Sequence, residues 1–175
     1  ELSTLYEERP RVEFLWTCSC HLIDYVLQKL CEKWCTYIDA DLFFYSDPSV
    51  LLAEMGEKTV QVIEHRFSNS HDDKILLEHS GPYCVEFNTF KYEERSLKLL
   101  AWWKEQCRVS CSAIASDKVF GDQKYLTGWE KYSFVSVVNN LGGGIAPWNI
   151  NQYVLLNDKD FLMGKRFKKA SFKPV

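Results

Sequence analysis

The sequence lacks a long uninterrupted hydrophobic run. Its apolar stretches, of which 37–44 is an example, are broken by charged residues, whereas a membrane-spanning helix needs about 20 apolar residues in succession. Acidic and basic side chains near the first residue take the place of an apolar run, so we expect no signal peptide. Positive charge is also scarce, since 21 Lys and Arg stand against 24 Asp and Glu, for a net charge of -3. We therefore expect neither a membrane span nor a nucleic-acid partner.

The seven cysteines are odd in number and scattered along the chain. This pattern argues against the disulfide framework of a small secreted domain, and we expect a reducing, cytoplasmic environment. Cys31 and Cys35, like Cys107 and Cys111, lie four residues apart and would share one face of a helix. A zinc site is therefore one interpretation of these spacings. Tetrahedral zinc sites more often use a closer Cys-x-x-Cys spacing.

Segments with helical and strand periodicity alternate along most of the chain. The predicted helices cover 17–34, 48–55 and 93–112, and the predicted strands cover 35–44, 59–64, 85–90 and 134–138. The strand 35–44 begins apolar on both faces, as a buried parallel strand does. The polar segment 66–80 is predicted to be a mobile loop. Together these elements predict a single α/β domain over 1–175, with a mainly parallel sheet flanked by helices.

The end of the chain, 160–175, is predicted to be a basic tail. Lys and Arg are concentrated between 165 and 173. One interpretation is a solvated end. The other is a weak peripheral contact with anionic lipid at the inner face of a membrane.

Two carboxylates come directly after the apolar first part of the predicted strand 35–44. Asp39 and Asp41 are two residues apart, so in an extended segment both side chains point to one side and converge on one hard cation, Mg²⁺ or Mn²⁺. Such a cation also binds phosphate oxygens and stabilises a leaving diphosphate. Two alternatives stay open. One is a surface turn that uses Asp for local hydrogen bonds, and the other is a phosphohydrolase in which the first Asp is the nucleophile.

Three segments carry a resemblance to a known family: TYIDADLFF with SDP at 36–48, FGDQKYL at 120–126 and GGGIAPWN at 142–149. In type, order and spacing they resemble the GT-A fold glycosyltransferases, closest to the glycogenin and lipopolysaccharide-galactosyltransferase group and to nucleotide-diphospho-sugar transferases of bacteria. The resemblance spans about 16–153. It implies a Rossmann-like sheet and the metal-dependent transfer of a sugar from a nucleotide-diphospho-sugar to a glycan or other hydroxyl acceptor, in bacterial cell-surface polysaccharide synthesis.

The resemblance also implies roles for single residues. Asp39 and Asp41 would bind Mn²⁺ or Mg²⁺, with Asn140 as a third ligand. The donor would be bound by Asp39, Ala40, Asp41, Asn88 and Gly143, and the transferred sugar or the acceptor would meet the catalytic pair Asp122 and Gln123.

The chain departs from the family pattern at three places. Asn140 stands where the family has a metal-binding His, and Ala146 stands where it has a Lys that contacts the diphosphate. The family's first strand and helix have no counterpart, so we expect an N-terminally truncated domain. His65 and Arg66, after the predicted strand 59–64, are candidates to approach the site. The departures leave a second interpretation open, in which the chain is a degenerate, non-catalytic module.

Overall fold

The computed structural model describes residues 2–155, 162–164 and 171–172, with side chains described for 2–153. The helices are α1 (Leu2–Glu8), α2 (Arg11–Gln28), α3 (Ser49–Ala53), α4 (His71–Ser80) and α5 (Glu94–Val109). The strands are β1 (Trp34–Ile38), β2 (Val60–Glu64), β3 (Tyr83–Lys91), β4 (Val135–Val137), β5 (Tyr153–Leu155), β6 (Leu162–Gly164) and β7 (Ser171–Phe172). None of the helices in these ranges combines the length and the hydropathy that crossing a membrane requires.

The main sheet is four-stranded and mixed. Its strand order is β1-β3-β2-β4, with β3 antiparallel to both of its neighbours and β2 parallel to β4. The predicted α/β architecture with flanking helices is therefore confirmed, but the prediction of a mainly parallel sheet is wrong. The connection between β2 and β3 contains α4, which packs against the 3-10 turn Gln123–Leu126 and not across the sheet as a crossover helix would. The connection that contains α4 returns β3 alongside β2 from the same end of the sheet, instead of crossing to the other end as in a parallel pair.

Three element predictions differ from the structure in their bounds or type. Helix α2 begins and ends earlier than the predicted 17–34, and β1 ends at Ile38 as a half-exposed edge strand, so Asp39 and Asp41 lie in the turn beyond it. The segment predicted as a loop contains α4. Its N-cap is Ser70, whose hydroxyl accepts the Asp73 N–H at 3.1 Å. This capping contact allows a polar segment to form a helix.

Buried apolar residues form two clusters. The larger one, which we call the helix-side core, includes Ile23 and Leu27 of α2, Leu100 and Trp103 of α5, and Phe90 of β3. The smaller one, the loop-side core, consists of Leu51, Ile63, Cys84, Phe87 and Val138. Because α2 and α5 also pack against each other, the sheet has a helical layer on the side of the helix-side core.

Strand β3 contains a bulge around Glu86. Its pairing with β2 loses register between Cys84 and Thr89, while its pairing with β1 stays regular from Phe87 onward. Val85 belongs to the helix-side core, whereas Phe87, two residues further on, belongs to the loop-side core. Residues two apart share a face in a regular strand, so the alternation shifts by one residue between them. The bulge turns Glu86 toward the end of the sheet at which β1 and β2 finish.

The strands β5, β6 and β7 form a separate antiparallel sheet in that order. The basic tail predicted for 160–175 lies outside the described residues, apart from the backbone of β6 and β7.

Candidate functional site

One edge of the main sheet collects most of the candidate residues. Strands β1, β2 and β4 run in the same direction, so their carboxyl ends lie at this edge together with the first half of the antiparallel β3. Asp39 and Asp41 follow β1, Arg66 follows β2, and Glu86 lies in β3 between them. We refer to Asp39, Asp41, Glu86 and Arg66 as the charged row. The carboxyl ends of strands are the usual binding edge of open α/β sheets.

Asp39 is held at the end of β1 by two hydrogen bonds. Its N–H donates to the backbone oxygen of Glu86 at 3.1 Å, which extends the β1–β3 pairing by one residue. Its carboxylate Oδ1 accepts the Tyr37 hydroxyl at 2.9 Å. Burial raises the pKa of Asp39 above its ordinary range and the nearby charge of Asp41 adds to this, although the Tyr37 hydroxyl opposes it. Asp41 is exposed, so one carboxylate of the pair is oriented and the other is open to solvent.

Glu86 is a third carboxylate at this edge, and the sequence analysis did not find it. Its side chain is only 5 % exposed, and burial raises its pKa to about 7. The Cys84 thiol and the Arg66 charge oppose this rise, and the charges of Asp39 and Asp41 reinforce it. The available signal was an acidic residue inside the apolar run YCVEFNTF, since buried charges are rare without a partner or a function.

Within the described residues, Arg66 is held in place by hydrogen bonds from only one of its guanidinium nitrogens. Its backbone adopts the left-handed region with a φ of 52°, and its Nη1 donates to the Leu141 oxygen and to the Tyr153 hydroxyl, both at 3.1 Å. Its Nε and Nη2 are buried and have no hydrogen-bond partner within the part of the chain that the structure describes. The Leu141 contact ties β2 to the glycine segment that follows β4.

Gly144 lies directly against Glu86 and Arg66. A Cβ at this position would be 2.9 Å from Glu86 Oε1 and 3.1 Å from Arg66 Nη2, and the φ of Gly144 is +66°. Glycine is therefore required here both by its conformation and by the lack of space. Gly143, the predicted donor-binding glycine, has a different neighbour, because a Cβ there would be 2.9 Å from Leu51 Cδ2.

Asp122, predicted to face the sugar or the acceptor, lies in a buried position between α2 and α5. Its carboxylate accepts the Ser19 hydroxyl, and its backbone oxygen accepts the Trp103 Nε1–H at 2.9 Å. Burial raises its pKa to about 7, against the Ser19 hydrogen bond, and the charges of Cys20 and Asp39 contribute to the rise. The contacts of Asp122 are with α2 and α5, and its link to the charged row is the small contribution of the Asp39 charge to its raised pKa.

Gln123 lies close enough to His65 to act on its pKa, and the His65 Nδ1 donates to the Gly81 backbone oxygen at 3.1 Å. His65 is 4 % exposed, and burial lowers its pKa to about 4, against its hydrogen bonds. Its backbone oxygen accepts the side-chain N–H groups of Trp148 at 3.0 Å and Asn149 at 2.8 Å. His65 therefore ties the Pro-Trp-Asn segment to the end of β2, which is a structural connection.

Asn88 and Asn140 are both engaged locally. Asn88 is fully buried, and its Nδ2 donates to the Cys84 oxygen at 3.4 Å across the bulge, while its Oδ1 has no partner among the described residues. The Oδ1 of Asn140 accepts the Gly142 N–H at 2.9 Å, so the atom that would ligate a cation is part of a turn. Ala40, between the two aspartates, is exposed.

The described residues contain no group of three or more His, Cys, Asp or Glu side chains that could hold a metal ion. The zinc interpretation of the cysteine spacings has no support from these ranges, in which Cys31 is exposed whereas Cys107 and Cys111 are buried in the helix-side core. Asp39 and Asp41 together offer two carboxylates. Mg²⁺ is commonly bound by one or two carboxylates, with water and substrate phosphates completing its shell, and a pair of this kind is compatible with that arrangement.

Comparisons with known proteins return two proteins of Bacillus subtilis strain 168. The chain is 32% identical to the uncharacterized protein YfnF over 159 residues, which covers 87% of this chain and 52% of YfnF. It is 27% identical to the uncharacterized protein YfnD over 157 residues, which covers 87% of this chain and 50% of YfnD. The chain thus spans about half the length of the curated relatives it matches. No family model matches the chain, and no solved structure matches it.

Proposed function

We propose that this chain belongs to a metal-dependent glycosyltransferase of the GT-A type, which transfers a sugar from a nucleotide-diphospho-sugar to a glycan or other hydroxyl acceptor. The observation that carries the proposal is the position of Asp39 and Asp41 at the carboxyl end of β1, with Glu86 beside them. In addition to burial, the charges of Asp39 and Asp41 raise the pKa of Glu86, and the charge of Asp41 raises the pKa of Asp39. A divalent cation at Asp39 and Asp41 would relieve this repulsion.

The bound cation would neutralise charge on the leaving diphosphate as a Lewis acid. Asp39 and Asp41 would hold it through their carboxylate oxygens, and the Tyr37 hydroxyl orients Asp39 by its 2.9 Å hydrogen bond. The proposal assigns Asp122 and Gln123 to the helix side of the site, and its support is the contribution of the Asp39 charge to the raised pKa of Asp122. In this proposal they face the transferred sugar or the acceptor.

The proposal includes a cytoplasmic reaction, where nucleotide-sugars are available, and a role in bacterial cell-surface polysaccharide synthesis. The support for a reducing compartment is that all seven cysteines are free thiols. The interpretation of the tail 160–175 as a contact with the inner face of a membrane stays part of this proposal.

A non-catalytic, transferase-like module is the second candidate. The observation that favours it is the hydrogen bond from the Gly142 N–H to the Asn140 Oδ1, together with Ala146 at the position where the resembled family has a Lys. This candidate predicts no metal-dependent binding of a nucleoside diphosphate.

Calorimetric titration of UDP and GDP, with and without Mn²⁺, distinguishes the two candidates. We expect one nucleotide to bind the wild type only with Mn²⁺, and we expect Asp41→Asn to weaken that binding more than about 10-fold. Asp41 is exposed, so the substitution should leave the free energy of unfolding unchanged. Asp117→Asn, at another exposed position, controls for the loss of one negative charge. Binding that is equal with and without Mn²⁺, or absent for both nucleotides, would contradict the transferase assignment.

A further inference from the structure

Among the residues that the structure describes, two buried N–H groups of Arg66 have no hydrogen-bond partner, and they lie beside a segment without Lys or Arg. The groups are Nε and Nη2, and the segment is 142–149, which contains no Lys or Arg. Buried guanidinium N–H groups are nearly always hydrogen-bonded, so an unpaired set calls for a missing acceptor. The acceptor has to be anionic or strongly polar to match a permanent positive charge.

The guanidinium is already oriented to receive such a group. Its Nη1 is fixed by the Leu141 oxygen and the Tyr153 hydroxyl, so the plane of the guanidinium does not rotate freely. Nε and Nη2 together form the two-pronged edge that binds a phosphate or carboxylate through two parallel hydrogen bonds. Preorganisation of this kind reduces the entropy lost when the anion binds.

Glu86 lies nearby and attracts Arg66 electrostatically, but it does not satisfy these two atoms. Gly144 packs against both, at distances of 2.9 Å from Glu86 Oε1 and 3.1 Å from Arg66 Nη2, measured from where its Cβ would be. Positions 142, 143 and 144 are all glycine, so these three residues place no side chain over the two N–H groups.

The charged row separates the two signs of charge along the sheet edge. The carboxylates of Asp39 and Asp41 lie at the end of β1, and the guanidinium of Arg66 lies beyond Glu86, between the ends of β2 and β4. A complex of a divalent cation with a diphosphate has the matching arrangement, because its cation prefers carboxylates and its phosphate oxygens prefer a guanidinium.

We propose that Arg66 binds a phosphoryl group of the donor's diphosphate through Nε–H and Nη2–H, and so supplies from β2 the positive charge that Ala146 does not. This inference rests on the proposed function for the identity of the ligand. The site itself, an anion-binding guanidinium under the glycine segment, is defined by this chain's own contacts.

The test compares ligands that differ in phosphate, on the wild type, Arg66→Gln and Arg66→Lys. With Mn²⁺ present, we expect Arg66→Gln to lower the affinity for the nucleoside diphosphate by about 10- to 100-fold, which is the loss expected when a charge-assisted pair of hydrogen bonds is removed. Arg66→Lys keeps the positive charge but lacks the two-pronged edge, so we expect it to lose less affinity than Arg66→Gln. Lys98→Gln, on the exposed face of α5, removes the same charge away from the site and should leave the affinity unchanged.

A purely structural role of Arg66 gives a different result. Arg66→Gln also removes the contact with Leu141, and a general disturbance of the pocket would weaken the phosphate-free nucleoside as much as the diphosphate. Saturation-transfer NMR with the nucleoside measures this, and equal losses for both ligands, or none for the diphosphate, would overturn the inference.

A separate arm with inorganic pyrophosphate distinguishes this inference from the proposed function. If neither UDP nor GDP binds the wild type with Mn²⁺, the transferase proposal fails. Pyrophosphate that binds the wild type but not Arg66→Gln would then still support the anion site, and pyrophosphate that binds neither protein would overturn it.

Discussion

Replacing Asp122 by Asn should stabilise the protein by an amount that grows with pH. Asp122 is 5 % exposed and its pKa rises from 3.8 to about 7, chiefly because burial disfavours its charge. One pKa unit corresponds to about 1.4 kcal/mol, so the ionised carboxylate destabilises the folded state by about 4 kcal/mol. Asparagine carries no charge, and its oxygen still accepts the Ser19 hydroxyl.

The direction of this pH dependence follows from the pH at which the folded and the unfolded chain each release the proton of Asp122. Below about pH 4 both the folded and the unfolded chain keep the proton on Asp122, and its burial has no pH-dependent cost. Between about pH 4 and pH 7 the unfolded chain releases the proton while the folded chain keeps it, so stability falls as the pH rises. Above about pH 7 both are ionised and the full cost is present.

Urea unfolding at pH 5, 6, 7 and 8 measures the effect. The free energy of unfolding of Asp122→Asn should exceed that of the wild type. The difference should increase toward pH 8, where it should be about 4 kcal/mol. Glu86, whose pKa is also raised to about 7, contributes a wild-type slope of the same sign, so adding Glu86→Gln should flatten the profile further. Asp117→Asn controls for net charge. A difference that is constant with pH, or that shrinks as the pH rises, would refute the reasoning.

Three further substitutions test local contacts by urea unfolding. Gly144→Ala should cost about 1–3 kcal/mol, because it places a Cβ at a φ of +66° and 2.8 Å from Ile63 Cδ1. Trp103→Phe should cost about 2 kcal/mol, since the buried backbone oxygen of Asp122 loses the Nε1–H donor at 2.9 Å. Ser70→Ala removes the side-chain cap of α4 and should cost about 1 kcal/mol. An unchanged transition midpoint in any of these variants would contradict the corresponding contact.

The sequence predicted those features that depend on neighbours along the chain. The α/β architecture follows from alternating periodicities, and the strand before Asp39 follows from its apolar run. Helix α4 differs from the loop predicted for 66–80, although its signal is local: Ser70 and Asp73 form a helix cap within this polar segment. The separation of Asp39 and Asp41 by one residue is likewise visible in the sequence alone.

Tertiary structure decided which strands are neighbours and which way they run. Hydrophobic periodicity predicts which residues lie on each face of a strand but not the direction in which the strand runs. The antiparallel position of β3 between β1 and β2 therefore cannot be predicted from local sequence patterns. The bulge at Glu86 shifts the alternation by one residue, which a regular strand pattern does not reveal. Glu86 meets Asp39 and Arg66 only because β3 separates the strands that carry them. By itself, the sequence determined which charges this protein has, and only the packing of the sheet decided which of them share one edge.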